Sequence, residues 1–147
     1  MTHHIINIQQ LRDAHKHLSL PFFLNLGETS LECNSVQRLL PHKRIVAYGC
    51  WNGEQVVAKL FFDVKKARRD FQRELKGVNR ILKANIPSPK LLYANRASSD
   101  KNIYVMIFER IIPAKHFDEA WRPCHNTEEK KSLLIELIKV IAMHHRA

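Results

Sequence analysis

The chain has 147 residues, 45% of them hydrophobic, which is enough for one domain with its own core. Its formal charge is +10, from 24 Lys and Arg against 14 Asp and Glu; such a surface fits nucleic acid, an anionic membrane or lipid phosphates. No run reaches the ~20 apolar residues of a membrane helix, and the opening Met1-Thr2-His3-His4 leads into a mixed polar segment without a signal-peptide pattern. Cys33, Cys50 and Cys124 are odd in number and widely spaced, so they read as reduced cytosolic thiols. The adjacent pairs His3-His4 and His144-His145 do not point the same way on a helix, and no metal site is expected.

In chain order, residues 1–19 form a lead-in, with a short helix or irregular segment over 8–17. Residues 21–26 and 31–33 are short strands separated by Gly27-Glu28, and Val36 to Leu40 is a strand broken by Pro41. Ile45 to Trp51 continues through the turn dipeptide Asn52-Gly53 into the apolar run Val56-Val57-Ala58-Lys59-Leu60-Phe61. A helix spans about Val64 to Asn85 and is stopped by Ile86-Pro87-Ser88-Pro89. A second hairpin, Lys90 to Arg96 and Ile103 to Phe108, turns at residues 98–102. Residues 109–113 leave the sheet, and a helical turn follows over Lys115 to Trp121. Asn126 caps a last helix, with Glu129 as its capping-box partner, that carries Leu134, Leu137, Ile138 and Ile141. No repeat or low-complexity segment is present.

Lys59 is the residue that stands out. Alternation puts Val57, Lys59 and Phe61 on one face of the strand and Val56, Ala58 and Leu60 on the other. Both faces are otherwise apolar, as in a strand covered on both sides, and a lysine there is costly unless an anion meets it. On the following helix, Ala67, Phe71, Glu74, Val78 and Ile81 follow helical spacing, so Glu74 lies on the buried stripe. A strand lysine followed by a helix glutamate is how kinase-like enzymes hold the phosphates of ATP. The plainer reading is that Lys59 snorkels to the strand edge and Glu74 sits solvated at the stripe margin. The helix also carries Lys65, Lys66, Arg68, Arg69, Arg73, Lys76, Arg80 and Lys83. Aromatics are not interleaved with these cations, which counts against single-stranded nucleic acid.

The residues resemble a particular family. Leu39-Leu40-Pro41-His42-Lys43-Arg44-Ile45-Val46, then Gly49-Cys50-Trp51-Asn52-Gly53 and Val57-Ala58-Lys59-Leu60-Phe61, look like bacterial lipopolysaccharide core sugar kinases of the heptose and 3-deoxy-manno-octulosonic acid type. Arg73-Glu74, the stretch from Asn85 to Leu92 and Phe108-Glu109-Arg110-Ile111 continue the likeness, which covers about residues 20–147. It implies an α+β, protein-kinase-like fold: a small lobe over 20–108 with about five antiparallel strands and one long helix. A hinge over 109–113 and the first helices of a large lobe over 114–147 would follow.

The resemblance also implies roles. Lys59 would contact the α- and β-phosphates of ATP and Glu74 would orient it. Val57 would line the adenine pocket and Phe108 would close its back. The backbone carbonyl of Glu109 and N–H of Ile111 would pair with the adenine edge, although an apolar hairpin ending in a charged loop explains 108–111 as well. Kinases cover the phosphates with a glycine-rich loop, whereas Pro41-His42-Lys43-Arg44 contains no glycine. Lys43 and Arg44 either replace it as side-chain donors or form a solvated turn.

The catalytic and Mg²⁺-binding aspartates implied by the resemblance should follow the last helix, and no Asp lies beyond Asp118. The expectation is therefore a fragment, inactive alone, of an enzyme that uses ATP and Mg²⁺ on a lipopolysaccharide core sugar. It would act in the cytoplasm at the inner membrane, with the basic helix meeting lipid or sugar phosphates. The exposed stripe of the last helix would invite self-association. A non-catalytic kinase-like module that binds nucleotide or a partner is the second reading. A basic nucleic-acid-binding domain, with steep salt dependence and indifference to Lys59, is the third.

Overall fold

Alternating apolar residues and tight-turn dipeptides give the chain its strands, and 3.6-residue periodicity gives it its longer helices. The computed structural model describes residues 3–112 and 117–146. Pro113 of the expected hinge and Lys115 of the expected helical turn lie outside them. The elements are α1 (Ile8–Asp13), β1 (Phe22–Leu26), β2 (Thr29–Leu40), β3 (Arg44–Trp51), β4 (Glu54–Phe61), α2 (Ala67–Lys83), β5 (Leu91–Arg96), β6 (Tyr104–Glu109), α3 (Phe117–Trp121) and α4 (Thr127–Arg146). The class is α+β, and the strands form one antiparallel sheet in the order β1-β2-β3-β4-β6-β5.

The sheet of six strands agrees with the expected antiparallel sheet of about five. Two details differ from the sequence reading. The expected separate strands 31–33 and 36–40 are one strand, β2, interrupted by bulges between Cys33 and Ser35 and between Val36 and Arg38. Helix α2 is regular from Ala67 rather than about Val64; the turn that leads into it is capped by Asp63, whose Oδ1 accepts from the N–H groups of Lys65 and Lys66 (2.9 Å each) and whose carbonyl accepts from Ala67 N–H (3.2 Å).

The chain divides into two compact units, Met1–Lys76 with Pro89–Arg110, and Gly77–Ser88 with Ile111–Ala147. In the first unit the core faces inward from β1 to β4 and β6: Phe22, Leu24, Leu31, Ile45, Val56, Leu60 and Ile107 are fully buried. Ile6 and Leu11 join this core, and a reciprocal Asn7–Gln10 capping box starts α1. The β5–β6 connection reaches β1, where Ser98 N–H donates to Asn25 O (2.8 Å) and Ser98 Oγ accepts from Gly27 N–H (3.0 Å). A second cluster of Phe61, Ala67, Phe71 and Met106 fills the space between α2 and the opposite sheet face.

β3 and β4 close through Asn52-Gly53, both with positive φ (51° and 79°), the two-residue hairpin turn expected of that dipeptide. Gly49 is required for a different reason. It pairs with Cys33, and a Cβ built on it would lie 1.9 Å from the backbone oxygen of Glu32. Burial, with Glu32 adding to it, pushes the Cys33 thiol up to about 12, so it stays protonated inside the core.

In the second unit α2 ends in a left-handed cap. Asn85 has φ 53°, its N–H donates to Leu82 O (3.1 Å), and Ile86 N–H donates to Ile81 O (3.2 Å). Asn126 Oδ1 accepts from Glu129 N–H at 2.7 Å, starting α4 as the sequence indicates. Leu134, Ile135, Ile138 and Ile141 are exposed on α4. Among the described residues no helix is long and apolar enough to cross a membrane.

Gly49→Ala is expected to destabilise the chain by about 3 kcal/mol or more, because backbone rather than a flexible side chain blocks the methyl. Urea unfolding of the two proteins checks this.

Candidate functional site

The pairing registers generate three cross-strand rows on the face of the sheet beneath α2. Tyr48, Val57, Phe108 and Leu91 form the first, across β3, β4, β6 and β5. Arg38, Val46, Lys59, Met106 and Ala94 form the second. Leu40, Arg44, Phe61, Tyr104 and Arg96 form the third. Successive rows lie about 7 Å apart, two residues along a strand.

Burial grades along β4. Val56, Ala58 and Leu60 are fully buried on the core face. On the other face Phe61 is buried while Lys59 and Val57 are half-buried, so this side is only partly covered rather than enclosed. Lys59 Nζ donates to Glu74 Oε1, with side-chain exposures of 33% and 21%. The lysine therefore meets an anion and does not simply snorkel. Its ammonium also stands 5.4 Å from the centre of the Phe108 ring. Arg44 approaches the second carboxylate oxygen of Glu74 at 3.8 Å.

The turn carrying Lys43 is held at both ends. Lys43 N–H donates to Leu40 O (3.1 Å), and Phe62 N–H donates to Lys43 O (2.9 Å). His42 occupies the left-handed position with φ 63°. The turn is thus pinned to the end of β4, and it presents Lys43 and Arg44 toward an open depression of about 480 Å³ that Arg73, Asp70 and Glu74 also line. A smaller depression of about 100 Å³ lies between Arg38, Leu40, Arg44, Val46 and Lys59. Together the two hold five cations, Arg38, Lys43, Arg44, Lys59 and Arg73, against Asp70 and Glu74.

Lys59, Glu74, Val57, Phe108, Lys43 and Arg44 thus share one region. Glu109 sits at the end of β6, where its N–H donates to Lys90 O (2.9 Å) and its Oε1 accepts from Lys90 N–H (2.8 Å). Ile111, 53% exposed, belongs to the second unit. Sequence reasoning missed Arg38, Tyr48 and Met106. Strict alternation puts Arg38 on the face of Val36, which packs in the core; the bulge at Gln37 turns Arg38 to the open side. Tyr48 does follow from alternation within β3, and Arg110 stacks on its ring at 3.8 Å.

Chemically, the first row is an apolar platform and the next two rows are cationic. A flat heterocycle against Val57 and Phe108 would project an anionic tail toward Lys59, Arg44 and Lys43. Among the described residues no three His, Cys, Asp or Glu side chains converge to hold a metal ion.

No family model matches the chain, and no curated protein matches it. Among solved structures it is similar to one described as the structure of vaccinia related kinase 3, at 12% identity with a TM-score of 0.46. The match covers 80% of this chain, which spans 38% of the length of that one.

A double-mutant cycle on Lys59→Met and Glu74→Gln should give a coupling of about 1 kcal/mol in urea unfolding, because the pair is close and half-buried. Arg44→Gln should cost less than about 0.5 kcal/mol, its contact being longer and its side chain 43% exposed.

Proposed function

We propose that this chain is the nucleotide-binding portion of an ATP-dependent, kinase-like phosphotransferase. The observation that carries the reading is the Lys59–Glu74 bond in the row next to Val57 and Phe108. A half-buried ion pair contributes little net stability, and here it fixes an ammonium beside the apolar row of Val57 and Phe108. Adenine packs against Val57 and Phe108, with the Glu109 carbonyl as an edge partner. Glu74 holds Lys59 toward the α- and β-phosphates. Lys43 and Arg44 do with side chains what a glycine-rich loop does with backbone N–H groups.

The domain reading goes with this: a small lobe over 20–108, a hinge over 109–113 and the start of a helical lobe over 114–147. The acceptor we propose is a sugar hydroxyl of lipopolysaccharide core. The stretches Leu39 to Val46 and Asn85 to Leu92 support it by resemblance, and the exposed cations Arg69, Arg73 and Lys76 suit a phosphorylated glycolipid at an anionic membrane surface.

Calorimetric titration with ATP and Mg²⁺ tests the nucleotide reading. Binding by the wild type is expected to weaken about tenfold or more in Lys59→Ala, through loss of a charge-assisted contact. A folded wild type that binds no ATP, or equal affinity in the variant, would contradict it.

A further inference from the structure

A second basic depression opens beside the start of α2. It holds about 220 Å³ and is lined by five cations, Arg12, Lys65, Arg68, Arg96 and Lys101, with Asp63 as its carboxylate. It shares no lining residue with the two depressions around Lys59 and Glu74. We propose that it is an anion site separate from the nucleotide cleft, and that it takes a compact phosphate-bearing ligand.

Charge balance is the first argument. Asp63 is already committed, its Oδ1 accepting from two backbone N–H groups. Burial alone would raise its carboxyl, but those N–H groups and the charges of Lys66 and Lys43 outweigh it and hold the group below the ordinary carboxylate value. Nearby Asp100 is committed too, its Oδ2 accepting from Ile8 N–H (2.9 Å) and its Oδ1 from Asn102 N–H (3.1 Å). Five cations converging on one carboxylate repel each other unless an anion joins them.

Two of the cations are positioned in advance. Arg12 is half-buried, and its Nε donates to Phe62 O at 2.9 Å. The Arg96 guanidinium lies 5.1 Å from the centre of the Tyr104 ring. Fixed guanidinium forks lose less freedom on binding and match phosphate oxygens bidentately. The depression is smaller than the about 300 Å³ at which small-molecule pockets usually begin, which favours a phosphate group over a whole nucleotide.

The test uses pyrophosphate as the probe, titrated by calorimetry into the Lys59→Ala chain so that the nucleotide cleft contributes least. Binding is expected to persist there, and to weaken about tenfold or more when Arg96→Gln and Lys101→Gln are added. The charge-matched pair Lys131→Gln and Lys139→Gln, at exposed positions on α4, should leave it unchanged. Equal losses in the two pairs would show only net charge at work and overturn the proposal, as would no pyrophosphate binding by a folded Lys59→Ala chain. If the Arg96 variant fails to fold by circular dichroism, Lys101→Glu alone supplies the same comparison. Co-sedimentation with phosphatidylcholine vesicles containing phosphatidic acid, lost in the Arg96/Lys101 variant, would assign the phosphate to a lipid headgroup. Pyrophosphate binding without such co-sedimentation would assign it to a soluble ligand. Because the two regions share no lining residue, failure here leaves the nucleotide reading standing.

Discussion

An ammonium in the middle of an apolar strand must be met by an anion, and Glu74 meets it from a helix fifteen residues further along the chain. The placement of α2 over the sheet brings the two charges together. Phe61 and Met106 from the sheet, with Ala67 and Phe71 from α2, make the apolar contact that brings the helix over β4. Glu74 lies one turn beyond Phe71 and so arrives at the lysine. A hydrophobic pair of similar volume would serve packing as well or better. The charge is better explained by what it can hold than by what it stabilises.

On the proposed reading, the same face gathers cationic side chains where the chain lacks a glycine-rich loop. Gly49 is spent on a close approach between β2 and β3, and Gly53 on the β3–β4 turn. At the β2–β3 turn, His42 accepts the left-handed position, and the backbone of Lys43 is tied to both Leu40 and Phe62. The tip is therefore held in place, and its donors are long cationic side chains. Arg38 adds a third basic group from β2, two strands from Lys59 in the same row. Side-chain forks tolerate a wider gap to phosphate than backbone N–H groups do.

Much of this was legible in the sequence where one local rule acts alone. Alternation placed Val57, Lys59 and Phe61 on one face, helical spacing put Glu74 on the inward stripe, and Asn52-Gly53 announced its hairpin. The parts that were not legible depend on long-range pairing. Bulges in β2 merged two expected strands and reversed Arg38, and no residue type in Asn34 or Gln37 signals them. Ile6 and Leu11 read as a lead-in because their partners lie in the sheet core, far along the chain. The Asp63 cap at the entry to α2 depends on a side-chain bond to the backbone, which apolar periodicity does not register. The basic depression needed Arg12, Arg68 and Arg96 together, from three separate elements.

We propose that the face formed by Val57, Lys59 and Phe108 holds a nucleotide. The most direct test is amide and methyl NMR of the isotopically labelled chain during addition of a non-hydrolysable ATP analogue. Saturable shifts at Tyr48, Val57, Lys59, Met106 and Phe108 and in the Lys43-Arg44 turn are expected. Shifts confined to Arg12, Arg96 and Lys101, or no saturable shift in a folded chain, would contradict it.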